Sequence, residues 1–182
     1  MNSFIYSELS RYDEFRVSFF CRHHNIPKYA EIKIDTGAVY SLVPLKTLGV
    51  LKADREELRK LYVDKNMIGG VLHGVEGVFK DISRKEIDNM SRNDKLNQRC
   101  FTFWDRFSGV EAGGYALGDR LIRTTCDTDG NILLGMDILK DFDFHIGVSS
   151  MTGKHTFIGC MRDAISDEYI KALKDHFGYA PV

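Results

Sequence analysis

The chain has 182 residues, of which 43% are hydrophobic and 28% charged, with only three prolines. These values describe a globular chain of one ordinary domain, or at most two very small ones, and exclude collagen-like, low-complexity and largely disordered classes. Twenty-five basic residues against 26 acidic ones leave a net charge of −1, so no overall field favours a nucleic acid or an anionic membrane.

The start, Met1 to Glu8, lacks the basic and apolar regions of a signal peptide. Apolar runs such as Ile132-Leu133-Leu134 stop far short of the roughly 20 residues that span a bilayer. A cytoplasmic protein without a membrane or nucleic-acid partner is expected. Cys21, Cys100, Cys126 and Cys160 form no CxxC unit and are expected to be free thiols.

Phe15 to Phe20 and Ala30 to Asp35 alternate with the period of a strand and flank a turn at Asn25-Ile26-Pro27. Lys46 to Tyr62 places Leu48, Leu51, Leu58 and Leu61 at helical spacing, which predicts one amphipathic helix. The glycine-punctuated run from Ile68 to Phe79 predicts a flexible hairpin. Residues 81–99 are the most polar stretch and read as a surface insertion with some helix. Strands are predicted at Cys100 to Trp104, Tyr115 to Thr125 and Ile132 to Leu134, with a turn at Asp127-Thr128-Asp129-Gly130. A last hairpin joins Phe142 to His145 with His155 to Ile158 across Ser149 to Gly153. Ser166 to Phe177 then predicts a C-terminal helix, with Ser166 as its cap and Gly178 as its stop.

Two segments carry chemistry. In Ile32-Lys33-Ile34-Asp35-Thr36-Gly37-Ala38-Val39-Tyr40-Ser41-Leu42-Val43-Pro44 a carboxylate ends an apolar strand and enters a tight turn. Such a turn is expected to present Asp35 in a cleft with little hydration, where a carboxyl group is tuned or binds a cation. About a hundred residues on, Ile132-Leu133-Leu134-Gly135-Met136-Asp137-Ile138-Leu139 is an apolar strand ending in glycine and running into a short helix.

Together these segments resemble the retropepsin-like aspartic proteases, the single-domain relatives of pepsin. The resemblance covers Phe15 to Ile158 in element order and is specific at these two segments. It implies a mostly β, closed barrel-like acid-protease fold with peripheral helices, including a C-terminal one. One domain over residues 1–182 is expected, with its core at about 15–158. By position, Asp35 is similar to the family's catalytic aspartate and Thr36 to the threonine whose hydroxyl ties two active-site loops together. Gly37 is similar to the glycine whose carbonyl faces the substrate. Ala38, Leu133, Leu134 and Gly135 match the residues that support the active-site loop.

Hydrolysis by this chemistry needs two carboxylates sharing one proton around one water. A single Asp-Thr-Gly per chain therefore implies a homodimer acting on a peptide or protein substrate, with Asp35 from each copy at the two-fold axis. Ile68-Gly69-Gly70 is similar to a retroviral flap tip, with Gly113-Gly114 as a second choice. The acidic residue and arginine that pair in retroviral members are replaced by Val39 and Met136. That double change leaves open a catalytically silent dimerisation or peptide-binding module on the same scaffold.

Other chemistries find weaker support. The glycines lack a following Lys-Ser/Thr, and no GxGxxG occurs, which argues against a nucleotide loop. Cys21-Arg22-His23-His24 has no further ligands at a known spacing, so neither metal nor cofactor is expected. No cysteine has the basic or helix-start context of a nucleophile.

Overall fold

A computed structural model describes residues 1–72 and 82–178. Among the described residues, ten strands and five α-helices follow in the order β1 (Ile5–Glu8), β2 (Phe15–His23), β3 (Ile26–Ile34), β4 (Leu42–Pro44), α1 (Lys52–Asp64) and β5 (Ile68–Val71). Next come α2 (Arg84–Asn89), α3 (Arg92–Asn97), β6 (Phe101–Ala112), β7 (Tyr115–Thr125), β8 (Ile132–Leu134) and α4 (Met136–Leu139). The chain ends with β9 (Phe142–Val148), β10 (His155–Met161) and α5 (Asp167–Phe177). The fold is mostly β, as expected. One sheet has the order β2-β3-β8-β4-β7-β6-β5, and β2 also pairs with β6, so six strands close into a barrel. A second sheet has the order β1-β10-β9.

The chain divides into two compact units. One comprises Met1–Ser41, Phe107–Arg120 and Leu133–Val182, the other Leu42–Arg106 and Leu121–Ile132. In the first, β2 and β3 form a hairpin in antiparallel register from Phe15↔Ile34 to His23↔Ile26. Its two-residue turn is His24-Asn25, with φ of 49° and 64°, the left-handed pair that matches strand twist. The turn thus sits one residue earlier than expected, and Pro27 lies inside β3. Val17, Phe19, Cys21 and His23 point inward from β2, and Ile32 and Ile34 from β3. His23 is buried and stacks on Phe107, with ring centroids 5.1 Å apart. Cys21 is fully buried, and burial pushes its thiol up to about 12.

The C-terminal helix forms as predicted. Ser166 Oγ accepts from the Tyr169 amide, and Gly178 closes the helix at φ 75°. Tyr169 and Leu173 are buried on one face, and the Tyr169 hydroxyl donates to Asp143 Oδ2 at 2.8 Å on β9. The other short addition, β1, escapes sequence reading because its four residues are too few to show a period.

In the second unit, β4 runs parallel to β7 from Leu42↔Arg123 to Pro44↔Thr125. The helix expected from Lys46 begins only at Lys52. Leu45 to Gly49 is instead a turn, with Gly49 at φ 74° and the Leu48 amide donating to the Pro44 carbonyl. Its buried residues are Tyr62 and Val63, whereas Leu51 and Leu61 are exposed. Tyr62 stacks on Phe103 at 5.1 Å and donates to Asp105, which draws its ring inward. The polar stretch holds two helices, α2 and α3. Ser83 and Glu86 form a capping box on α2, and Ser91 caps α3. All four cysteines are free and buried. Among the described residues, no helix is long and apolar enough to cross a membrane.

Leu173→Ala is expected to lower stability by about 2–5 kcal/mol, because it empties a fully buried leucine site. Urea denaturation followed by circular dichroism measures the loss.

Candidate active site

Asp35 follows directly on β3. The strand alternation that buries Ile32 and Ile34 turns Lys33 and Asp35 to the opposite face. The Asp35 amide donates to the Leu134 carbonyl on β8 at 3.0 Å, which ties the two motif segments together at the carboxylate itself. The chain then turns. Gly37 N–H donates to Asp35 Oδ1 at 3.0 Å, and Ala38 N–H donates to the Asp35 carbonyl at 3.1 Å. The first bond fixes the carboxylate's rotation against its own turn.

The loop beyond Gly37 is clamped onto the Leu-Leu-Gly-Met-Asp segment. Met136 N–H donates to the Ala38 carbonyl at 2.8 Å, and Asp137 N–H to the Val39 carbonyl at 3.1 Å. Ser41 is buried at 1% exposure. Its hydroxyl donates to Asp137 Oδ1 at 2.7 Å and accepts from Gly135 N–H at 2.9 Å, and its own amide donates to the same Oδ1 at 2.7 Å. A Cβ on Gly135 would lie 2.5 Å from the carbonyl carbon of Tyr40 and 2.8 Å from Ser41 N. No side chain fits there, so the glycine is required by close backbone approach.

Asp35, Thr36, Gly37, Ala38, Leu133, Leu134 and Gly135 therefore occupy one neighbourhood. Leu134 and Gly135 are buried, and Leu133 and Ala38 are half-buried. One expectation needs correction. The Asp35 side chain is 28% exposed in the single chain, so it is not sheltered from water there. The turn ends at the open surface, where Thr36 and Gly37 are exposed and the Thr36 hydroxyl makes no hydrogen bond among the described residues. Val39 is also exposed.

Ile68-Gly69-Gly70, expected as a flap, lie in a strand. These residues form β5, paired with β6 in the register Ile68↔Phe103 and Gly70↔Thr102, and Ile68 is buried. The glycines make room for large neighbours. A Cβ on Gly69 would lie 3.1 Å from Trp104 Nε1, and one on Gly70 would lie 3.2 Å from an Arg123 nitrogen. Arg123 in turn lies over the Trp104 ring at 4.9 Å. The rest of the expected hairpin, residues 73–79, lies outside the described residues. Gly113-Gly114 is a true two-residue tip, with φ of 60° and 74°, but it is tied down. The Asn2 side chain donates to the Gly113 carbonyl at 2.6 Å, and Gly113 N–H donates to the Ser18 carbonyl at 2.7 Å.

Sequence reading passed over Ser41, Asp137 and Lys33. Ser41 and Asp137 stand inside the two informative segments, and an acidic residue in the first turn of a short helix was a usable signal. Lys33 carried no signal of its own, since a lysine on the outer face of a strand is ordinary. Its ammonium lies 3.5 Å from Asp35 Oδ2.

No family model matches the chain, and no curated protein matches it. Among solved structures it is similar to a retropepsin-like aspartic protease from Rickettsia conorii, at 16% identity and a TM-score of 0.41. The match covers 85% of this chain and 89% of that one.

The clamp yields graded predictions. Ser41→Ala is expected to cost about 1–3 kcal/mol, since it strips a buried donor from Asp137 and a partner from Gly135 N–H. Gly135→Ala is expected to cost more than about 4 kcal/mol, because the obstacle is backbone. Chemical denaturation of both variants checks the order.

Proposed function

We propose that the chain is an aspartic endopeptidase that works as a homodimer, with Asp35 of each copy supplying one of two paired carboxylates. One observation carries this reading. Asp35 is held by its own turn through Gly37 N–H, and that turn is locked to Gly135 and Asp137 through Ser41, yet the carboxylate faces the open surface. A carboxyl group needed only for a turn requires no such second segment behind it.

The chemistry follows from the number of carboxylates. A lone ionised aspartate can activate water as a base but cannot, in the same step, act as an acid toward the carbonyl oxygen. Two that share a proton can do both. In the dimer, the ionised member draws a proton from a water set between the two carboxylates, and the oxygen attacks the peptide carbonyl. The protonated member assists at the carbonyl oxygen, and a proton then passes to the leaving nitrogen. The exposed Thr36 hydroxyl, with one donor and two acceptor sites, is available to bind the partner's loop. Exposed Val39 stands where retroviral members carry a charge, so an apolar contact takes that place.

Asp35→Asn tests the assignment. The amide keeps the shape of the turn and still accepts from Gly37 N–H, so folding and self-association are expected to survive while cleavage of a peptide library falls at least a thousandfold. Near-normal cleavage by the purified variant refutes the role of Asp35. An inactive wild-type dimer would instead support the silent binding module.

The rate profile is expected to be bell-shaped, with its maximum below neutrality. Only the singly protonated pair acts, and two like charges at close range lose their protons in separate steps. Initial rates across the acidic and neutral range check this, and a rate that climbs steadily through pH 8 contradicts it.

A further inference from the structure

Beside Asp35 stands a charge that hydrolysis by paired carboxylates does not require. Lys33 lies two residues before Asp35, so the strand directs both side chains to one face. Its ammonium is 3.1 Å from Glu14 Oε1 and 3.5 Å from Asp35 Oδ2. Glu14 is held in turn by Arg16 of β2 at 2.6 Å, and Arg16 also reaches Glu31 at 3.8 Å. The charges thus alternate along Arg16, Glu14, Lys33 and Asp35, ending at the carboxylate.

Neither Lys33 nor Glu14 is freely solvated, with side chains 26% and 18% exposed. Arg16 and then Lys33 hold the Glu14 carboxyl below the usual range, while Glu14 above all, with Asp35 adding to it, raises Lys33. Each group thus favours the charged form of the other. Among the described residues, Tyr40 on the same loop, half-exposed Asp137 of α4 and exposed Glu31 of β3 are further titratable groups on the elements that carry this turn. Asp137 Oδ1 is taken by Ser41.

We infer that Lys33 is the positioning and charge-compensating residue of the site. Its ammonium offsets the like charges that two Asp35 carboxylates bring together, and Glu14 limits how much of that charge Asp35 receives. This rests on the reading of Asp35 as one half of a carboxylate pair. The sign follows directly. A cation beside the pair favours its ionised forms, so both proton losses, and the active window between them, move to lower pH. Removing Lys33 moves the window up. Removing the charge of Glu14 leaves Lys33 to Asp35 alone and moves the window down.

The test compares wild type, Lys33→Met, Lys33→Arg and Glu14→Gln in rate profiles on one peptide. Sedimentation equilibrium at pH 7 measures self-association of the same proteins. Methionine keeps the apolar stem and loses the charge, and arginine keeps the charge. Lys33→Met is expected to raise both limbs of the profile by about half a pH unit to one unit, Glu14→Gln to lower them, and Lys33→Arg to match wild type. Lys33→Met is also expected to weaken the dimer about threefold to tenfold, and to have no such effect in an Asp35→Asn background, where the opposing charges are gone. A Lys33→Met profile that superimposes on wild type, or an equal loss of association in both backgrounds, overturns the inference and leaves the paired-carboxylate reading standing. A wild-type chain that is monomeric and inactive overturns that reading, and the inference with it.

Discussion

The site depends on one close approach. Gly135 passes so near the Tyr40 carbonyl that a Cβ would sit 2.5 Å from its carbon, and Ser41 uses that proximity to bond both the Gly135 amide and the Asp137 carboxylate. A serine hydroxyl serves both roles here, donating to Asp137 Oδ1 and accepting from Gly135 N–H, so neither its own proton nor the buried amide is left unpaired. Asp137 Oδ1, approached by the amide and the hydroxyl of Ser41 together, has its charge spread over two short bonds. The loop from Thr36 to Tyr40 is thereby held at both ends, by the Asp35 amide on Leu134 and by Ser41 on Asp137. Only the outward face of the turn is left to solvent.

Electrostatics then refine what packing has placed. The apolar face of β3 seats Ile32 and Ile34, and the outer face of the same strand carries Lys33 to within 3.5 Å of the carboxylate. Successive residues of a strand alternate faces, so on β3 itself the side chain that meets Asp35 from the outer face is the one two residues before it. Glu14 and Arg16, at the start of the paired strand, share that outer face and complete the row. At these exposures each contact alone is modest, but a row of alternating signs orients every member.

Elements with a full period were legible in the sequence. The β2–β3 hairpin, the strand into Gly135 and the capped C-terminal helix all show because each repeats its apolar pattern at least twice or carries a punctuating residue. Elements of three or four residues, β1 and β4, repeat nothing and were missed. The start of α1 was misplaced because Leu48 obeys helical spacing while sitting in a turn closed by Gly49, and tertiary burial chose Tyr62 over Leu61. In the site, the two segments could be read as partners, but the atoms joining them could not. Ser41 and Asp137 are 96 residues apart, and nothing local to either predicts a bond that only the packing of β8 against β3 creates. The glycines at 69 and 70 are ambiguous in sequence because glycine signals both turns and close approach, and within β5 a Cβ at these positions would meet Trp104 and Arg123.

On the proposed reading, a chain with one reacting carboxylate per copy must meet two demands at once, since the same surface has to bind its partner and present the reacting group. Every contact that shapes the Asp35 turn, from Gly37 N–H to Asp137 Oδ1, lies within one compact unit of a single chain. Association therefore need not order the loop, and the entropy that ordering would cost is already met by folding. What association has to overcome is charge. Bringing two carboxylates together is unfavourable in proportion to how poorly water screens them, and screening falls as the interface closes. On the proposed reading, a built-in cation 3.5 Å away lowers that barrier from within each copy, at the step where packing alone gives no help.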